Sequence, residues 1–273
     1  MKLYIYRDPR FNVSRSRDDQ FVPYAMHTHN FAELFCFLGG KGTFHIEGTN
    51  YLLNPGDILL MRPGEAHYIE IDPQMPYERI VMSFDTGLLE DWEPGNTLLH
   101  PYFDRKAGTR NLYRADPVCT GYLLAMTEQD GSRATILANL VLVLQRLSRR
   151  FGQTPEQAVL PDSVEQKMIR YINHNLHKNL SVEELCERFY LSRPQLCRRF
   201  RASTGTSIGR YITAKRMLLA RQLLLQGQKP TEVYTCCGYR DYATFFRAYK
   251  AYFGHSPRAA ASLPITEERH LIE

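Results

Sequence analysis

Twice between residues 181 and 250 the chain writes a short helix, a tight turn and a second helix: 181-SVEELCERFYLSRPQLCRRF-200 and 230-PTEVYTCCGYRDYATFFRAYK-250. In the first copy Ser181 is an N-cap, Glu184 three residues on completes a capping box, and Val182, Leu185 and Phe189 recur at helical spacing. Tyr190-Leu191 makes the turn. Ser192 caps again, Pro194 sits in a first turn where its missing N–H costs little, and Leu196 and Phe200 form an i, i+4 apolar stripe. The opposite face holds Arg193, Gln195, Cys197, Arg198, Arg199 and Arg201, rich in guanidinium and poor in carboxylate. Arginines so placed suit the major groove, where they reach guanine edges or phosphates. A charged face alone also describes a solvated surface helix; the preceding helix, the short turn and the second copy favour a reader of double-stranded DNA.

In the second copy Pro230 and Thr231 open a helix, Gly238 supplies the turn and Asp241 caps 242-YATFFRAYKAYF-253. Phe245, Tyr249 and Phe253 fall inward, leaving Tyr242, Ala243, Thr244, Phe246, Arg247 and Lys250 outward. Between the copies, 207-SIGRYITAKRMLLARQLLLQG-227 reads as one helix, with Ile208, Ile212, Met217, Ala220 and Leu224 near one side and Gly227 as its stop. A rigid spacer of that length sets two recognition helices in successive major grooves, about 34 Å apart.

Over residues 164–261 the chain resembles the AraC/XylS family of bacterial transcription regulators. The resemblance is carried by Ser192, Leu196, Phe200, Gly205, Tyr211, Arg216, Ala220, Leu224, Gly238, Tyr239, Phe245, Lys250, Gly254 and Pro257, in the family's order and spacing. It implies base contacts from Arg193, Pro194, Cys197 and Arg198, then from Tyr242, Ala243, Thr244 and Arg247. Gln195, Arg201 and Lys250 join them from the exposed faces. Tyr234 departs from the pattern, standing where the family keeps a small residue; a phenol there is expected to push the second recognition helix outward.

The 273 residues are enough for two domains with a core each. Residues 162–273 hold 18 lysines and arginines against 10 aspartates and glutamates, whereas residues 1–161 hold 16 against 19. The basic half is the half with the helix-turn-helix patterns, the footprint of a phosphate-binding module with salt-sensitive affinity. Six cysteines, Cys36, Cys119, Cys186, Cys197, Cys236 and Cys237, lack paired metal spacing, and the adjacent last two suit neither zinc nor a structural disulfide. Cys186 reads as a small core residue. With no secretory leader and no apolar run of spanning length, the expectation is a cytoplasmic protein with no membrane partner.

The first 115 residues read as short alternating segments at 3–6, 25–29, 32–38, 42–47, 51–53, 58–61, 67–71 and 79–84, punctuated by Gly, Pro and Asn. Many short strands at this spacing argue for a sandwich or small barrel. Within them, 27-HTHNFAE-33 followed by 56-GDILLMRPGEAH-67 resembles the two motifs of the cupin barrel. His27 and His29 share a strand face, and Glu33, Phe35 and Phe37 keep that parity. The resemblance adds His67 and implies that His27, His29, Glu33 and His67 stand where metal-binding cupins hold their ion, a donor set suited to Fe, Mn, Zn or Ni. Three readings stay open: satisfied interior histidines, an enzymatic metal site, or, the favoured one, a pocket for a small effector. Fused cupins in AraC-like regulators sense sugars or other metabolites. Phe35 and Phe37, with polar contacts from His27, His29, Glu33, His45, Arg62 and His67, would suit a polyol laid against ring faces.

Residues 117–128 and 132–151 read as a helical hairpin bent at Gly131. Its second helix carries Leu137, Leu140, Val141, Leu144, Leu147 and Phe151, a stripe wider than packing on one barrel needs and therefore a candidate dimer contact. The architecture expected is thus α+β with two domains: a cupin-like β-barrel over 1–115 with a helical hairpin over 116–151, a linker over 152–163, an all-α domain of two helix-turn-helix units over 164–262, and a tail over 263–273. The function expected is a sequence-specific, dimeric transcription regulator and no enzyme, its partners operator DNA, a sugar-like effector and, in an activator, RNA polymerase. Effector binding would act through the barrel rim and an arm over residues 7–20. The alternative is a metal-dependent cupin enzyme with an accessory nucleic-acid-binding tail.

Overall fold

The computed structural model describes residues 2–19, 26–89, 97–128, 131–151, 163–260 and 270–271. The chain divides into two compact units, Met1–Tyr24 with Phe31–Leu160, and Ala25–Asn30 with Pro161–Glu273. The linker expected at 152–163 and the tail at 263–273 lie, apart from residues 163 and 270–271, outside the described residues.

In chain order the elements up to residue 151 are β1 (Lys2–Asp8), β2 (Phe11–Asp18), β3 (His27–Thr28), β4 (Ala32–Gly39), β5 (Gly42–Ile46), β6 (Thr49–Leu52), β7 (Ile58–Met61), β8 (His67–Ile71), β9 (Tyr77–Phe84), α1 (His100–Phe103), β10 (Leu112–Tyr113), α2 (Pro117–Ala125) and α3 (Arg133–Arg150). A six-stranded sheet runs β1-β2-β9-β4-β7-β10, antiparallel throughout. Strands β8, β5 and β6 pair antiparallel in that order in a second sheet. β4 is buried on both faces because both its parities are apolar. Ala32, Leu34 and Cys36 face the core shared with α2 and α3; Phe35 and Phe37 face the core shared with Phe44, Ile46, Ile69 and Ile71 of the second sheet.

Two expectations are corrected here. The segment 7–19 is no arm: residues 11–18 pair with β9 along their whole length, from Phe11 opposite Phe84 to Asp18 opposite Tyr77, and Gln20 lies outside the described residues. Its polar residues disguise the alternation, since Phe11 and Val13 turn inward while Arg15 meets Glu78 at 2.8 Å and Asp18 meets Arg79 at 2.6 Å across the strands. The stripe on the hairpin's second helix is likewise internal. Leu137, Leu140, Leu144 and Leu147 are buried against the six-stranded sheet and α2, together with Ile136 and Val143. Asp116 fixes the hairpin: its carboxylate accepts from Val118 and Cys119 N–H at the start of α2, and from Arg146 and Arg150 of α3.

The second unit holds α4 (Val164–His174), α5 (Val182–Phe189), α6 (Arg193–Thr204), α7 (Ile208–Leu225), α8 (Pro230–Cys236), α9 (Tyr242–Phe253) and β11 (His270–Leu271), which pairs antiparallel with β3. Ser163 and Gln166 form a capping box on α4, a helix that the sequence reading did not separate out. Met168, Ile169 and Ile172 of α4, Leu185 of α5 and Leu196 and Phe200 of α6 are buried, and Phe200 meets Tyr211 of α7 edge to face at 5.4 Å. Met217, Ala220 and Leu224 of α7 pack with Val233, Phe245 and Tyr249 of α8 and α9. α7 thus supplies wall to both helix-turn-helix units.

Candidate functional site

The first unit's turn ends α5 in a left-handed residue, Tyr190 (φ 54°), with the Leu191 N–H returning to the Cys186 carbonyl. Ser192 then starts α6. Arg193, Pro194, Cys197, Arg198 and Arg201 are all exposed on one side of α6, at the i, i+4, i+8 spacing opposite buried Leu196 and Phe200. Two residues of the expected face are otherwise engaged. Gln195 folds back as a cap, its amide oxygen accepting from Ser192 N–H at 3.1 Å and Ser192 Oγ–H at 2.9 Å. Arg199 turns toward α4 and pairs with Glu165, whose carboxyl is held below its usual range by the Arg199 hydrogen bond against the opposing effect of burial. Arg193 remains exposed with Glu183 of α5 3.3 Å away, a solvated pair worth about 0–1 kcal/mol that a phosphate or base edge can replace.

In the second unit Asp241 accepts from Thr244 N–H at 2.8 Å, and that hydrogen bond lowers its carboxyl pKa. Ala243, Thr244, Arg247 and Lys250 are exposed along α9 opposite buried Phe245 and Tyr249. Tyr242 is half-buried instead, because Tyr234 meets it edge to face at 6.2 Å and Phe245 and Phe246 lie beside it. The phenol at 234 therefore packs into the α8–α9 corner and captures a residue expected to project. Gly238 is required at the turn: its φ is +74°, and a Cβ there would collide with the Leu176 carbonyl and the Arg216 guanidinium. That guanidinium donates to the carbonyls of Leu176 (3.0 Å) and Lys178 (2.6 Å), tying the turn of the second copy to the segment after α4.

Among the effector-pocket candidates of the first unit, Glu33 and His67 come together and are both buried; His29, also buried, belongs to the second unit. His67 Nδ1 is 2.8 Å from the Glu65 carbonyl, a contact made by an N–H, so Nδ1 carries the proton and Nε2 faces Glu33 Oε1 at 3.7 Å. An imidazole and a carboxylate so placed could hydrogen-bond a hydroxylated molecule. His27 is half-buried, its ring 6.2 Å from that of His29. Phe35 and Phe37 are core rings: Phe35 packs on Phe44 at 4.8 Å and Phe37 on Tyr77 at 6.0 Å, while Phe44 stacks on His67 at 5.8 Å.

His45 is a correction. Phe44 and Ile46 take the inward parity of β5, so His45 stands on the other face, stacked on Tyr68 at 4.2 Å and bonded to Asn50 at 2.6 Å, with burial pushing its pKa down. Arg62 serves a structural corner rather than the pocket, donating to the Arg105 carbonyl at 3.2 Å. At that corner lie the residues the sequence reading missed. Glu65 is fully buried, takes Arg105 on both oxygens at 2.6 and 2.8 Å, and also accepts from Gly108 N–H and Asn111; the Arg105 charge and hydrogen bonds draw its pKa down to about 2 against burial. Glu65 lies inside the cupin-like run and was legible as a buried acid; Arg105 and Asn111, some 40 residues on, carry no local pattern.

A family model described as the AraC-like ligand binding domain matches residues 13–159, and a second, described as a helix-turn-helix domain, matches residues 185–262. The HTH-type transcriptional activator RhaR of Enterobacter sp. (strain 638) is 24% identical over 243 residues, covering 86% of each chain. The Msm operon regulatory protein of Streptococcus mutans is 27% identical over 225 residues, covering 81% of this chain and 80% of its own. The raffinose operon transcriptional regulatory protein RafR of Pediococcus pentosaceus is 25% identical over 225 residues, covering 80% of each. No helix among the described residues is long and apolar enough to cross a membrane.

Proposed function

The chain belongs to the AraC family of DNA-binding transcriptional regulators, and we propose that it reads operator DNA chiefly through Arg193, Pro194, Cys197, Arg198 and Arg201 while its N-terminal unit binds a sugar-like effector. The single observation that carries the reading is the exposed guanidinium row on α6, held outward by the buried Leu196 and Phe200 behind it. Ala243, Thr244, Arg247 and Lys250 form the second contact, weighted toward phosphate because Tyr242 is captured by Tyr234. The division of labour follows residues 1–115 for the effector, 116–151 as the hairpin packed on the sheet, 152–163 as linker and 164–262 as reader, followed by the 263–273 tail, in a homodimer in the cytoplasm where the operator lies. RNA polymerase is the further partner if the regulator activates.

The sugar class rests on two supports: Glu33 and His67 offer donors and acceptors beside the aromatic rings of Phe44 and Phe35, and two relatives are named for the Msm and raffinose operons. An effector changes DNA affinity only through unequal affinity for two arrangements of the protein, a coupling of about 1–3 kcal/mol. The test titrates mono- and oligosaccharides against operator binding, for the wild type and for Glu33→Gln. One sugar class should shift DNA affinity about 5- to 150-fold, and Glu33→Gln should blunt its binding. If no sugar shifts affinity and no heat of binding is seen, the effector assignment fails while the DNA reading stands. The paired Glu33 and His67 also support a second reading, a resident divalent cation, which elemental analysis of the purified protein decides.

A further inference from the structure

Arg221 stands where helical spacing along α7 calls for an apolar residue. Met217, Ala220 and Leu224, its neighbours at i−4, i−1 and i+3, lie in the core shared with α8 and α9, and Arg221 is buried with them, 4% exposed. Its guanidinium lies over the Phe253 ring at 5.2 Å, and its Nε–H, shut off from solvent, has no acceptor. No carboxylate among the described residues pairs with it. In this unit Glu165 is taken by Arg199, Glu183 by Arg193 and Glu184 by Tyr171, while Asp241 caps the far end of α9. Arginine cannot shed its charge, and the cost of burying a charge without a counter-ion outweighs what one ring face offers. Beside it Tyr249 of α9 is fully buried, and its hydroxyl too has no partner. Burial pushes the Tyr249 pKa up to about 12 against the neighbouring Arg221 charge, so the hydroxyl keeps its proton. Two orphaned donors with no acceptor make half of a site.

We propose that Arg221 and Tyr249 bind a small oxyanion, a phosphate or a carboxylate, which accepts from the guanidinium and the phenol and holds the C-terminal half of α9 against α7. The chemistry fits either ion: a guanidinium presents its N–H groups as a fork matching two oxygens, and the protonated phenol adds a further donor. The walls are apolar, with Phe253 packed on Tyr249 at 4.6 Å, and an ion pair made in such surroundings is screened little by water. The anion is not a phosphate of the duplex. Ala243, Thr244, Arg247 and Lys250 are exposed on the side of α9 opposite Tyr249, so the site and the reading row face different ways. A bound anion therefore acts on the reader through the stability of α9 rather than by competing for DNA.

The experiment follows thermal unfolding of the full chain by helical circular dichroism at fixed pH and ionic strength. Chloride is replaced stepwise by inorganic phosphate in one series and by acetate in another, for the wild type, Arg221→Met and Tyr249→Phe. At least one of the two ions should raise the wild type's melting temperature saturably, by about 5 °C or more, and the ion that does so tells phosphate from carboxylate. Arg221→Met, which needs no counter-ion, should melt no lower than the wild type in chloride and respond to neither ion. Tyr249→Phe keeps the core ring and should respond with an affinity about 5- to 10-fold weaker. Calorimetric titration of the responding ion into the folded wild type should give saturable heat, a readout that does not depend on either variant folding. A wild type indifferent to both ions, an equal rise in all three proteins, which marks a general salt effect, or an Arg221→Met protein that melts well below the wild type in chloride overturns the proposal. None of these outcomes bears on base reading by α6.

Discussion

Replacing Arg105 with methionine strips a buried carboxylate of its counter-ion while keeping an unbranched, apolar side chain in place. Both partners are out of solvent, with side-chain exposures of 0% for Arg105 and 2% for Glu65. The guanidinium also donates to the Pro101 and Leu60 carbonyls, both at 2.9 Å, so the pair fastens the segment after α1 to β7. Glu65 drops from an ordinary 4.5 to about 2. At about 1.4 kcal/mol per pKa unit, that drop is roughly 3 kcal/mol of stability at neutral pH. The direct cost of orphaning one member of a buried pair, about 3–5 kcal/mol, agrees. Because the folded pKa is depressed, this stabilisation is complete above about pH 4.5 and is lost as the pH falls toward 2. Urea unfolding followed by Trp92 fluorescence, the single tryptophan and a reporter on the N-terminal half, measures it. Arg105→Met should lose about 3 kcal/mol or more at pH 7 and show a flatter decline below pH 4.5 than the wild type. A loss under about 1 kcal/mol, or a wild type equally stable at pH 5 and pH 3, would refute the reasoning.

Leu196→Ala should cost about 2–5 kcal/mol in the C-terminal unit, read by thermal loss of helical circular dichroism, since the side chain is fully buried behind the guanidinium row; a loss under about 1 kcal/mol would place the row on a differently packed helix. Tyr190→Gly should instead stabilise that unit by about 0.5–1 kcal/mol in urea, because the residue holds a left-handed conformation with 94% of its surface exposed; no gain would mean the turn is not strained. Lys250→Ala should weaken all DNA sequences alike and reduce the slope of log affinity against log salt by about 1, whereas a sequence-dependent loss would make Lys250 a base contact.

The two recognition helices were legible because caps, turns and apolar stripes are local: Ser181, Ser192, Asp241 and Gly238 do in the structure what their positions imply. The same locality hid Gln195 as a cap and Arg199 as a partner of Glu165, which lies 34 residues back on α4. Strand alternation located the second sheet but lost β2, whose outward residues are all polar, and β10, whose two residues are too few to show a period. The cupin resemblance put His67 beside Glu33, as the structure does, and strand parity, applied from Phe44, would have turned His45 to the other face. A stripe of leucines cannot distinguish an internal partner from a second copy: α3 packs against α2 and the sheet, contacts made through residues far off in the chain.

The central claim is that the face of α6 reads base edges. Wild type and Arg198→Ala are each selected against a pool of random DNA duplexes at fixed moderate salt, and the affinities are then measured on the enriched site and its single-base variants. The account predicts one enriched motif for the wild type, and for Arg198→Ala a loss of about 1–3 kcal/mol confined to discrimination at one base pair. No enriched motif, or an equal loss on every sequence, would contradict it.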